Sequence, residues 1–90
     1  KQPHIPDAFL YPSAGGTVVI EVELSPKTVK RTVEIMQSYV ARPAATEADR
    51  WQMWYFVTRA SEGTVEEAKS ELGSLGRYIL LYGLPLEVSR

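Results

Sequence analysis

Apolar and polar residues alternate through the first quarter of the chain. The segments HIPDAFLY and TVVIEVEL, separated by PSAGG, predict a β-hairpin that turns at residues 12–16. Counting outward from that turn pairs Tyr11 with Thr17, Phe9 with Val19 and Asp7 with Glu21, with Ile5 opposite Glu23. Strand alternation then puts Ala8, Leu10, Val18, Ile20, Val22 and Leu24 on one face, expected to be the core. The other face carries Phe9, Tyr11, Thr17 and Val19 near the turn and Asp7, Glu21 and Glu23 at the far end.

The period then changes. Val29, Val33, Met36 and Val40 recur at helical spacing, with Ser25 as the expected N-cap and Pro26 in the first helical position. Lys27, Lys30 and Arg31 lie on or beside the polar face, and the proline at position 43 ends the helix by Arg42. ATEADR reads as a polar connection with room for a helical turn. In WQMWYFVT both alternating sets are largely apolar, which predicts a central strand covered on both faces. Ile20, Val22, Trp54 and Phe56 are accordingly expected among the least exposed side chains. TVEE is a capping-box sequence, with Thr64 as N-cap of a second helix whose apolar side is Val65, Ala68 and Leu72. Gly73 or Gly76 stops that helix, and RYILLYG is a last strand.

The fold class is therefore α/β: a hairpin followed by two β-α-β units, giving a mixed sheet that is antiparallel at the hairpin and parallel beyond it. Ninety residues without repeats or low-complexity tracts make one domain over 1–90. The chain starts at Lys1 without a methionine, as an excised piece of a longer protein would.

Composition narrows the chemistry. Ten Lys and Arg against eleven Asp and Glu leave a formal charge of −1, so no global positive field holds a polyanion and contacts to nucleic acid must be local. The absence of cysteine excludes disulfides, thiolate metal sites and a cysteine nucleophile. A single histidine excludes a histidine-rich zinc site. No apolar run is long enough for a membrane span and no signal-peptide pattern is present, so a cytoplasmic location without membrane contact is expected.

The acids are the chemistry-bearing feature. Glu21 and Glu23 stand two apart on one strand, about 7 Å between Cα atoms, with Asp7 one strand spacing away. Such a group of like charges is unfavourable unless a cation compensates it or one acid keeps its proton, and hard oxygen donors suit Mg²⁺ or Mn²⁺. The plain alternative is that these acids solvate the outer face of an exposed hairpin.

Pro-Asp opening one strand, an apolar strand bearing Glu at alternate positions, and then a helix together resemble the PD-(D/E)XK nuclease superfamily. Within it, HIPDAFLY followed by GGTVVIEVELSPKTVKR looks most like the replication-relaxation proteins of actinobacterial plasmids and integrative elements. The likeness implies a restriction-endonuclease-like core lacking its first helix. It also implies that Asp7 and Glu21 match the metal-ligating acids and Pro6 the motif proline. The motif lysine position is Glu23, so Lys27 or Arg31 would supply the cation from the following helix.

The resulting expectation is a divalent-metal-dependent nuclease-like domain acting on DNA in plasmid or mobile-element replication or transfer. Asp7, Glu21, Glu23 and Lys27 are its catalytic set, and Asp7, Glu21 and Glu23 its metal ligands. The alternatives are a catalytically inactive domain of the same fold that binds DNA or assembles with protein, and an interaction domain with merely exposed acids. His4 precedes the cluster closely enough to touch metal or phosphate, but reads first as a surface residue at a strand end. Trp51, Trp54, Tyr55 and Phe56 can stack on bases, but their place in an apolar strand points to core packing. Ser13, Ser25 and Ser61 lack a nucleophile motif.

Overall fold

A computed structural model describes residues 4–85. Strands β1 (Ala8–Leu10), β2 (Thr17–Glu23), β3 (Trp51–Val57) and β4 (Ile79–Gly83) form one sheet in the order β1-β2-β3-β4. Pairing is antiparallel between β1 and β2 and parallel for β2 with β3 and β3 with β4. Helix α1 (Val29–Val40) connects β2 to β3, and α2 (Arg59–Glu71) connects β3 to β4. The result is a small α/β domain with a four-stranded mixed sheet. None of the helices among the described residues is long and apolar enough to cross a membrane.

The hairpin keeps the expected register, with Ala8 opposite Ile20, Phe9 opposite Val19 and Leu10 opposite Val18. Its turn depends on two glycines with positive φ, Gly15 at 109° and Gly16 at 79°. A Cβ on Gly16 would stand 2.8 Å from the Ala48 carbonyl oxygen and 2.9 Å from that of Arg50, so the turn seats directly on the segment leading into β3. That segment is a short 3₁₀ turn, Glu47–Asp49, within the connection expected to have room for one.

Which face of the sheet is the core is the reverse of the sequence expectation. Both helices pack on the face carrying Val19, Met53, Tyr55, Val57 and Ile79, where they bury Ile35, Met36, Val40, Val65 and Ala68. Glu21 and Glu23 lie on this same covered face. The face expected to be the core carries Val22 and Tyr82, each 41 % exposed, and Leu10, 44 % exposed. Ile20, Trp54, Phe56 and Leu80 are only partly buried there, and Leu24 just beyond β2 is exposed. Trp54 and Phe56 pack edge-on and stacked, respectively, against Tyr82. The central strand is therefore covered on one face only among the described residues.

Successive crossovers of one hand that step in one direction along a sheet put both helices on the same side. Handedness does not decide which alternating set of side chains faces them; here Val19, Met53 and Ile79 stand in register across β2, β3 and β4 and lie with Tyr55 and Val57 in the covered set.

Both helices also start elsewhere than expected. Helix α1 begins at Val29, with Thr28 rather than Ser25 as N-cap; the Thr28 hydroxyl accepts the Arg31 N–H at 3.0 Å. Helix α2 begins at Arg59, a turn before Thr64, with a capping box made by Thr58 and Ser61. Ser61 is fully buried, and its hydroxyl also donates to the Glu23 carbonyl at 2.7 Å, while the Thr58 hydroxyl donates to the Leu24 carbonyl at 3.1 Å. The N-terminus of α2 is thus tied to the end of β2, beside the acids. Leu72 ends the helix, followed by Gly73 at φ 61°, as the glycine signal predicts.

Candidate functional site

Continuing the hairpin register past Ala8 brings Asp7 opposite Glu21. The Asp7 N–H donates to the Ile20 carbonyl at 3.2 Å, and the Asp7 carboxylate accepts the Val22 N–H at 2.7 Å. Glu21 and Glu23 point under the helices and are only 3 % and 6 % exposed. Carboxylates are almost never so buried unless paired. Each has a cationic or titratable partner: His4 Nε2 lies 2.5 Å from a Glu21 oxygen, and Lys27 Nζ lies 2.6 Å from a Glu23 oxygen.

Lys27 is not on the helix. It sits in the loop just ahead of the Thr28 cap, and the later start of α1 leaves its side chain free to reach back to Glu23. Arg31, the other candidate for a migrated cation, pairs with Glu34 at 3.6 Å. His4, which the sequence reads first as a surface residue at a strand end, instead joins the cluster. Its side chain is 15 % exposed, it bonds Glu21, and its ring meets Tyr39 edge-on at 6.0 Å. The signal available was its place three residues ahead of Asp7, in the segment leading into β1.

Burial raises the Glu21 pKa above the usual carboxylate value; the His4 hydrogen bond and charge pull it down, and the negative charges of Asp7 and Glu23 push it further up. Tyr55, one strand over from Glu21, is also raised, first by burial and then by the charges of Glu21 and Glu23. Glu21 and Tyr55 therefore hold their protons more tightly than free side chains do.

Three carboxylates on neighbouring strand positions are the right donor type for a hard divalent cation. As the side chains stand, no group of three or more His, Asp or Glu among the described residues is arranged to hold a metal ion. Asp7 is turned to a backbone amide, and each glutamate is engaged by its own partner. The sequence-derived set of Asp7, Glu21, Glu23 and Lys27 is brought together, with His4 added. A separate groove, between the C-terminal half of α2 and β4, is lined by Lys69, Gly73, Arg77, Leu80 and Tyr82 and shares no residue with this cluster.

No protein-family model, curated protein or solved structure matches the chain. What the site can do rests on its own residues.

Proposed function

We propose that the chain is a nuclease-like domain that acts on DNA phosphodiesters with Mg²⁺ or Mn²⁺, in plasmid or mobile-element replication or transfer. The observation that carries this reading is the pair of buried glutamates, each matched to a different partner, beside the Asp7 strand. A divalent ion bound there would acidify its water and neutralise the attacked phosphate. Asp7, Glu21 and Glu23 would hold it once Glu21 and Glu23 turn from His4 and Lys27. Lys27, released from Glu23, would stabilise charge developing on the phosphate, the role left open by the acidic residue at the motif lysine position. His4, released when Glu21 turns to the metal, would take or give a proton at the edge of the pocket.

The test is cleavage of supercoiled plasmid and of a labelled single-stranded oligonucleotide by the 90-residue chain with 5–10 mM Mn²⁺ (about the usual assay range) and with EDTA. Cleavage should require metal, and Glu21→Gln or Lys27→Met should each lower the rate by about a hundredfold or more. Cleavage undiminished in Glu21→Gln would overturn the assignment.

A second reading is favoured by one observation, that each buried carboxylate is already partnered within the chain. A catalytically inactive domain of the same design would keep these pairs closed, binding DNA or protein without cutting. Metal-independent DNA binding with no cleavage under any divalent ion would select it.

A further inference from the structure

From His4 an unbroken line of rings runs away from the acids along the covered side of the hairpin. His4 meets Tyr39 edge-on, and the Tyr39 hydroxyl donates to the His4 carbonyl at 3.4 Å. Tyr39 stacks on Trp51 with centroids 6.1 Å apart and planes 13° apart. Trp51 meets Phe9 edge-on at 6.3 Å, and Phe9 stacks on Tyr11 at 6.1 Å and 19°. The Arg42 guanidinium lies 4.2 Å over the Trp51 ring. The line therefore begins at a residue bonded to Glu21 and ends in solvent.

Its outer end is costly as decoration. Phe9 is 39 % and Tyr11 73 % exposed, both on or beside β1, an edge strand of the sheet. Exposed rings on an edge invite association, which proteins ordinarily suppress with charge or proline. Trp51 is engaged by Tyr39, Phe9 and Arg42, and Phe9 by Trp51 and Tyr11, so the ring surface left to a ligand is most of Tyr11 and the exposed part of Phe9. A ligand fitting two stacked, solvent-exposed rings at the end of a line that carries a guanidinium over Trp51 presents flat aromatic faces and a phosphate. Unpaired bases do so, whereas a duplex buries its base faces.

Charge points the same way. With a net charge of −1, the chain lacks the phosphate-neutralising surface on which binding of any nucleic acid draws, so stacking has to carry more of the affinity, and only unpaired bases offer it. Resting on the nuclease reading above, we propose that the substrate is a single strand whose bases stack on Phe9 and Tyr11, directing its backbone along the Arg42 side of the track toward Glu21.

The test separates binding from cleavage. In EDTA, fluorescence anisotropy of a labelled oligo(dT) and of a duplex of equal length is measured with the 90-residue chain. Quenching of Trp51 is followed in a Trp54→Phe background. The single strand should bind at least about tenfold tighter than the duplex and quench Trp51. Its affinity should fall less than about tenfold between 50 and 200 mM salt, as expected for one or two phosphate contacts. Tyr11→Ala and Phe9→Ala should each weaken binding by about 5- to 100-fold, the range for one lost base stack. Tyr82→Ala, on the other face of the sheet, should leave it unchanged. Tyr11 is mostly exposed, so its substitution tests the platform without removing core packing, and an unchanged melting curve checks this. Duplex bound as tightly as single strand, or wild-type affinity in both ring variants, would overturn the proposal. Oligonucleotide binding through the rings without metal-dependent cleavage would sink the nuclease reading alone. Cleavage indifferent to both ring variants would sink the single-strand track alone.

Discussion

Two isosteric substitutions three residues apart on β2 test the placement on which the whole site depends. Val19 is fully buried beneath the helices, whereas Val22 is 41 % exposed on the opposite face. Exchanging valine for threonine keeps the shape and the β-branching and replaces one methyl with a hydroxyl. At Val19 that hydroxyl would sit among Ile35, Met36 and Met53. Burying a hydroxyl without a compensating partner costs about 1–3 kcal/mol by protein mutational data. At Val22 water can solvate it, and the change should stay within about 0.5 kcal/mol. For a domain of this size each kcal/mol moves Tm by roughly 4–8 °C, so thermal melts and urea titrations resolve the difference. Unchanged urea m-values would show that the folded state itself is intact. If Val22→Thr cost more than Val19→Thr, the helices would lie on the other face. Glu21 and Glu23 would then be solvated surface acids, and the site argument would fail with the fold argument.

Two more outcomes follow from the same geometry. The native state holds the Glu21 proton to higher pH than the unfolded chain does, so ionisation of Glu21 opposes folding. The protonated form's contribution is fully present below the unfolded value near 4.5 and is lost as pH rises through the raised native value. Glu21→Gln should therefore flatten the fall in stability across that window, and chemical denaturation at a series of pH values giving parallel curves for the two proteins would refute it. Gly16→Ala should destabilise by about 1–3 kcal/mol, because it forces a side chain both into positive φ and against the Ala48 and Arg50 carbonyls. A urea midpoint equal to wild type would show that the turn does not seat on the segment before β3.

What the sequence made legible was local. Alternation and the Gly-rich turn predict the Phe9–Val19 register, and the apolar run starting at Trp51 predicts β3, because both depend on neighbours a few residues apart. Two alternatives that look equal locally were decided by distant contacts. Thr58 and Thr64 both head capping sequences; the former is used, and the hydroxyls of Thr58 and Ser61 also bond carbonyls at the end of β2. The two faces of β2 both carry apolar residues, and the one in register with Met53, Tyr55 and Val57 of β3, which bears the acids, is the one the helices cover. His4 was obscured for the same reason. Its partner is seventeen positions away, on a face expected to be open.

The inverted placement is itself an argument about the acids. A chain selected only for stability would put Ile20 and Val22 under the helices and leave Glu21 and Glu23 to water. This chain covers the carboxylates, and replacing a buried ion pair by apolar side chains is often neutral or stabilising. It also pins the strand beside them: Ser61 donates to the Glu23 carbonyl, Thr58 to the Leu24 carbonyl, and Asp7 accepts from the Val22 amide. Hydrogen bonds on both sides of the acidic strand hold the glutamate backbones, and on the metal-binding proposal their side chains would exchange His4 and Lys27 for the ion. Rigid backbone under exchangeable, costly charges is the arrangement expected of a site that binds something, because preorganised donors gain most where reorganisation is already met by the fold. Solvating acids need no such support.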